Sequence, residues 1–322
     1  ISGTGELEKT GAGTIILTAS NSYTGGTVVR DGTLSVGSGG SINHSNATLT
    51  VGRTNGDMAV LNISTNGTVA NNLAYLGFDA GSSGTVNVSG GTWSNTGHLI
   101  VGYFGTGAVN LTSGSVVSAE GSIGYYGDGA VNVSGGTWSN TAGLDVGTFG
   151  NGTLNLSGGS VYSSNARVSY QGIGTVNVSG GTWSNTGQIV IGVFNDGTLN
   201  LSNGTVSASS VQVAAQSNSI GRINLAGGTL LTGQVSEGSG NGSVVFNGGT
   251  LRLSTNQSDL FAGFEAGDVV FTNGGGSIDT QEFAVATARG LTGNGSLTKL
   301  GTGTLTLTGS NSYTGGTTIS EG

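Results

Sequence analysis

The chain has 322 residues, 66 of them glycine, with no proline, no cysteine, only 7% charged residues and a net charge of −8. Without cysteine there are no disulfides or thiolate metal sites, and an acidic balance with no basic stripe argues against a nucleic-acid partner. Glycine at this level can signal disorder, yet disordered chains are usually highly charged and poor in β-branched residues, whereas Val, Ile and Thr alternate throughout this one.

Residues 1–37 contain Gly11-Ala-Gly-Thr-Ile-Ile-Leu-Thr-Ala-Ser-Asn-Ser-Tyr-Thr-Gly-Gly-Thr27, a phrase that returns near the other end. The chain opens at Ile1 with no apolar leader, and no apolar run approaches the ~18 residues of a membrane span. It therefore reads as a piece of a longer polypeptide.

Residues 38–231 form a repeating array, irregular to about residue 80 and clean from 81 onward. The phrase Gly84-Thr-Val-Asn-Val-Ser-Gly-Gly-Thr-Trp-Ser-Asn95 recurs from Gly129 and Gly174, so that Trp93, Trp138 and Trp183 stand 45 residues apart. A weaker echo falls between each pair. Its marker asparagines, with those of the main phrase, are Asn62, Asn87, Asn110, Asn132, Asn155, Asn177, Asn200 and Asn224, in steps of 22 to 25. A period of this size means stacked, quasi-one-dimensional units.

Each unit holds three short alternating segments, such as Thr85–Ser89, Thr92–Ser94 and His98–Val101, with glycines at the bends. Period-two alternation is the strand signal, and segments this short are stable only when stacked on their equivalents. Parallel pairing normally needs a helical crossover, and no helical period separates these segments. A coil that gives one strand per turn to each of three sheets removes the difficulty. The expected fold is all-β: a right-handed parallel β-helix of roughly 14 turns at 22–23 residues each.

Alternation also sorts the faces. Val86 and Val88 point inward, and Asn87 outward. Trp93, Val116, Trp138, Val161, Trp183, Val206, Leu230 and Leu251 form one inward column of alternating size, which fills a narrow core without strain and explains the 45-residue double unit. In the third segment the outward position varies freely: Tyr75, Ile100, Ser122, Asp145, Arg167, Val190, Gln212.

From 232 to 292 the spacing loosens. Ser258–Glu265 has apolar positions at roughly helical spacing after a capping residue, and predicts a short helical or irregular excursion. Five acidic residues (Asp259, Glu265, Asp268, Asp279, Glu282) fall in this region. Residues 293–322 repeat the opening as Gly301-Thr-Gly-Thr-Leu-Thr-Leu-Thr-Gly-Ser-Asn-Ser-Tyr-Thr-Gly-Gly-Thr317.

On these two copies, and above all on Asn21–Thr27 and Asn311–Thr317, the chain resembles the passenger-associated transport repeat of bacterial autotransporters, secreted by the type V route. The resemblance implies a β-helical passenger on the surface of a Gram-negative bacterium or released from it, reaching the membrane only through a C-terminal barrel that this sequence lacks.

Two features could bind. The asparagines Asn87, Asn110, Asn132, Asn155, Asn177 and Asn200 form either a side-chain amide ladder or a solvated outer face. Aromatics crowd the turn after the third segment: Tyr75, Phe78, Tyr103, Phe104, Tyr125, Tyr126, Phe149, Tyr170 and Phe194, with Phe104, Tyr126, Phe149 and Phe194 in one column. They either cap the core or stand exposed as a stacking platform. Only two histidines, His44 and His98, are present, in dissimilar contexts, so catalysis has little support, and neither a metal nor a cofactor is implied. The expected role is adhesion: lateral contact along one edge, with repetition supplying avidity. The partner is another copy on a neighbouring cell, or a host glycan or protein. The alternatives are a structural stalk and, less strongly, a polysaccharide-cleaving enzyme using carboxylates of 259–282.

Overall fold

The computed structural model describes residues 1–37 and 39–322; Ser38, the expected first residue of the array, lies outside the described residues. The fold is all-β, a parallel β-solenoid of about 14 turns, as in a right-handed parallel β-helix, with no helix among the described residues. It comprises two compact units, Ile1–Ser164 and Asn165–Gly322.

In the first unit one coil serves three sheets. The strand Ser83–Asn95 pairs through Val86, Asn87 and Val88 with Leu61, Asn62 and Ile63 on one side and Val109, Asn110 and Leu111 on the other. Past the glycine bend its second half sets Trp93 between Val69 and Val116. The strand His98–Val101 then lies between Tyr75-bearing and Ser122-bearing neighbours. The second unit repeats the scheme: Asn177 pairs with Asn200 and Asn200 with Asn224, while Trp183, Val206, Leu230 and Leu251 follow in register.

The indoles lie in the core, Trp93 and Trp183 at 0% exposure and Trp138 at 2%. Their N–H groups need acceptors there. Trp93 donates to Asn71 Oδ1 at 2.9 Å, and Trp138 to Ser118 Oγ at 3.3 Å. Asn71 in turn donates to Asn95, and Ser118 to Asn140 at 2.7 Å. A second, inward polar column thus runs beside the tryptophans in this unit.

Residues 258–265 fold as turns, not as a helix, and Leu260, Phe261 and Phe264 are fully buried. The stack continues here through backbone bonds: Val235 N donates to Leu260 O at 3.2 Å, Glu237 N to Ala262 O at 2.8 Å, and Leu260 N to Ala286 O at 2.8 Å. Burial of three large apolar side chains therefore fixes this segment without strand geometry.

The two terminal repeats make the same polar bonds 290 residues apart, which explains their shared spacing. Tyr23 bonds Thr27 as Tyr313 bonds Thr317, each at 2.5 Å. Asn21 donates back to Ala19 O, and Asn311 to Gly309 O. Lys9 and Lys299, 3% and 6% exposed, direct their ammonium groups at backbone carbonyls: Thr10, Gly11 and Asp31 in the first case, and Gly301, Gly303 and Glu321 in the second. A buried lysine with such a shell ties two successive coils without a carboxylate.

Candidate functional site

The turn after the third strand is built on glycine. Gly77, Gly102, Gly124 and Gly147 hold φ between +65° and +78°, a region that costs other residues about 1–2 kcal/mol. A Cβ on Gly102 would also sit 2.3 Å from Asp128 O on the next coil. The tight, identical turn throws the following side chains outward at the same angle on each coil. Backbone bonds fix the alignment: Tyr125 N to Gly102 O at 2.9 Å and Tyr126 N to Tyr103 O at 2.8 Å.

Two ring columns result in the first unit. The outer one is Phe104, Tyr126 and Phe149, with centroids 4.8 and 4.9 Å apart and planes inclined by 7° and 15°. The inner one joins Phe78, Tyr103 and Tyr125 at 5.1 and 5.6 Å, and Tyr75 meets Phe78 edge-on at 5.2 Å. Phe104 and Tyr126 remain 48% and 49% exposed, while the others are half-buried. None enters the core. Burial, then neighbouring phenols, raise the pKa of Tyr75 and Tyr125 above the ordinary tyrosine value, so these two phenols stay uncharged at neutral pH. In the second unit Tyr170 and Phe194 meet edge-on at 5.3 Å, with Arg167 4.4 Å over the Tyr170 ring.

The asparagines form amide ladders. In the first unit Asn87 donates to Asn62, Asn110 to Asn87, Asn132 to Asn110 and Asn155 to Asn132, at 2.8 to 2.9 Å. In the second, Asn200 donates to Asn177 and Asn224 to Asn200 at 2.8 and 2.7 Å. An amide that spends a donor and its oxygen along the stack keeps one N–H for anything outside. The ladder is first a structural device, and the aromatic ledge is the more open surface.

The outward face of the third sheet is drier than alternation implies. Ile100 and Ser122 are 5% and 3% exposed. The outward side chains sit in register, Thr50 beside Tyr75, Tyr75 beside Ile100 and Ile100 beside Ser122, and ring contacts flank them. Here His98 comes together with two residues that sequence order concealed: its Nε2 is 2.8 Å from Ser122 Oγ, and its Nδ1 is 4.0 Å from Glu120 Oε2. Burial lowers the His98 pKa, against the opposing pull of Glu120 and Asp145. Ser122 lies mid-ladder, paired on both sides through Ile100 and Asp145, which leaves the surrounding backbone N–H groups committed to the sheet and no oxyanion donor beside the hydroxyl.

Of the acidic residues of 259–282, Glu265 and Asp268 line one cavity of about 360 Å³ together with Glu237, and Asp259, Asp279 and Glu282 do not line it. Asp259 pairs with Arg289 at 3.6 Å, and Asp279 with Arg252 at 2.8 Å. Asp268 caps the turn at Glu265 N.

Comparison with known proteins bears on both ends of this architecture. The passenger-associated-transport-repeat family matches residues 7–36 and 297–322. A stretch of 126 residues, 37% of the chain, is 36% identical to the adhesin BmaC autotransporter of Brucella suis biovar 1. Both matches make the chain similar to autotransporter passengers. Such a passenger is displayed on, or secreted from, the outer membrane of a Gram-negative bacterium. The passenger sequence covers 3% of the length of that relative. No solved structure matches it.

Proposed function

We propose that this passenger is adhesive, and that its contact surface is the aromatic ledge of the first unit. One observation carries the reading: three rings are stacked face to face with about half the surface of Phe104 and Tyr126 left in water. Folding gains little from leaving such rings exposed, and contiguous exposed apolar surface marks interaction sites. The rigid coil fixes ring spacing before contact, so little conformational entropy is lost on binding. Display of many copies on one cell then adds weak contacts into avidity. The partner is a glycan or protein on another surface, or a second copy of the chain. The name of the Brucella relative, an adhesin, agrees with this role.

The test replaces Phe104, Tyr126 and Phe149 with serine together in the surface-displayed protein. Cell–cell aggregation and adhesion to host cells should fall to the level of non-displaying cells, while tryptophan emission stays blue-shifted as in the parent. Unchanged adhesion would leave a structural stalk as the better reading.

A further inference from the structure

The ledge ends in a cleft that is chemically unlike the rest of it. The outward column of the third sheet supplies its floor, with Val28 beside Thr50 and Thr50 beside Tyr75 on successive coils. Phe78 and Arg53 wall one side, Glu6 and Thr48 contribute the remainder, and the cavity measures about 370 Å³. That volume is within the range of small-molecule sites. Arg53 Nη1 reaches Glu6 Oε1 at 3.5 Å, both side chains being 46% exposed. The contact spends one of five guanidinium donors. The Thr50 side chain, on a residue 7% exposed, lines the cleft beside them.

We propose that this cleft is a subsite for a neutral pyranose, the terminal or internal hexose of a surface glycan. A pyranose has one apolar C–H face and an equatorial rim of hydroxyls. The first matches the electron-rich faces of Tyr75 and Phe78, set edge-on at 5.2 Å as the floor and one wall of a corner. The second needs paired donors and acceptors in one plane, which the Arg53–Glu6 pair presents side by side, with the Thr50 hydroxyl to complete the set. Because guanidinium and carboxylate neutralise each other, and the chain carries a net charge of −8, an anionic sugar gains nothing here. This assignment rests on the adhesive reading and names the ligand class for its end subsite.

The purified chain is titrated, by saturation-transfer NMR and calorimetry, with neutral oligosaccharides ending in glucose, galactose, mannose or N-acetylglucosamine, and with glucuronate- and sialate-terminated counterparts. At least one neutral sugar should bind, and Arg53→Met and Tyr75→Ser should each weaken it about tenfold, the loss of one hydrogen bond or ring contact. Arg53→Met keeps the aliphatic stem, so its fold is not at risk; Tyr162→Ser, at a ring 45% exposed on the second sheet, should leave single-sugar binding unchanged. Binding by none of the neutral sugars, binding indifferent to both cleft variants, or preference for the anionic set would each overturn the proposal. Adhesion assays on the same variants separate the two ideas. Ledge-dependent adhesion without sugar binding removes the cleft assignment alone, whereas sugar binding with ledge-independent adhesion removes the ledge reading alone.

Discussion

Substitution within the asparagine ladder of the first unit gives a quantitative test of the stacked arrangement. Asn87 is bonded to Asn62 and Asn110, and Asn110 to Asn87 and Asn132, all at 2.9 Å. Asn87→Leu therefore removes two bonds, and Asn110→Leu two, but the double substitution removes only three because one bond is shared. At about 1 kcal/mol for each half-buried amide bond, each single variant loses about 2 kcal/mol and the double about 3 rather than 4. The coupling of about 1 kcal/mol is the signature of a contiguous ladder. Asn62→Leu, which loses the bond from Asn87 and a long 3.4 Å bond to Ser35 Oγ, should cost less than Asn110→Leu. Urea unfolding followed by tryptophan emission reports it, since Trp93 lies on the coil of Asn87 and Trp138 on that of Asn132. Strict additivity of Asn87→Leu and Asn110→Leu would refute the reasoning, and so would a cost for Asn110→Leu no larger than for Asn62→Leu.

Gly102→Ala should destabilise the first unit by about 2–4 kcal/mol, from the left-handed backbone and the contact with the neighbouring coil. Gly5→Ala, where a Cβ meets nothing within 4 Å, should be close to neutral in the same unfolding assay. Burial lowers the pKa of both His44 and His98 below the ordinary histidine value. Protonation then favours the unfolded chain, so stability is complete above about pH 6.5 and declines as pH falls through that unfolded value. The urea midpoint should drop between pH 7 and pH 5, and His98→Gln should flatten part of the decline. The Asp57 response begins only at lower pH because, although burial raises its pKa, hydrogen bonds from Thr54 and Arg53 hold it below the usual range overall; Glu237, raised chiefly by burial, acts in the opposite sense and favours the folded chain as pH falls.

Much of this architecture was legible because a solenoid writes its structure as a period. The Trp–Val alternation gave the inward column of the second sheet, and Asn–X–Asn steps of 22 to 25 gave the ladder positions. Parity then separated the faces. The inner polar column obeys the same rule: Asn95 and Asn140 follow Trp93 and Trp138 by two residues, so they share the inward face and help satisfy the buried polar groups beside the indoles. Parity failed at Ile100 and Ser122. Alternation says which way a side chain faces, whereas its exposure depends on what the neighbouring coils bring beside it, as His98 is brought to Ser122. The His98–Ser122–Glu120 grouping was hidden for a related reason, since stacking brings residues one coil apart into contact while sequence order scatters them. The segment 258–265 shows a third limit, because burying Leu260, Phe261 and Phe264 matters more there than any local period.

The ledge itself is the most exposed part of the account. Hydroxyl-radical footprinting of the displayed passenger, free and while cells are adhered, measures ring by ring which surface is covered. Protection concentrated on Phe104, Tyr126 and Phe149, with Tyr162 on the second sheet unchanged, is the predicted result. Equal oxidation of the ledge rings in the two states, or protection centred on another face, would contradict it.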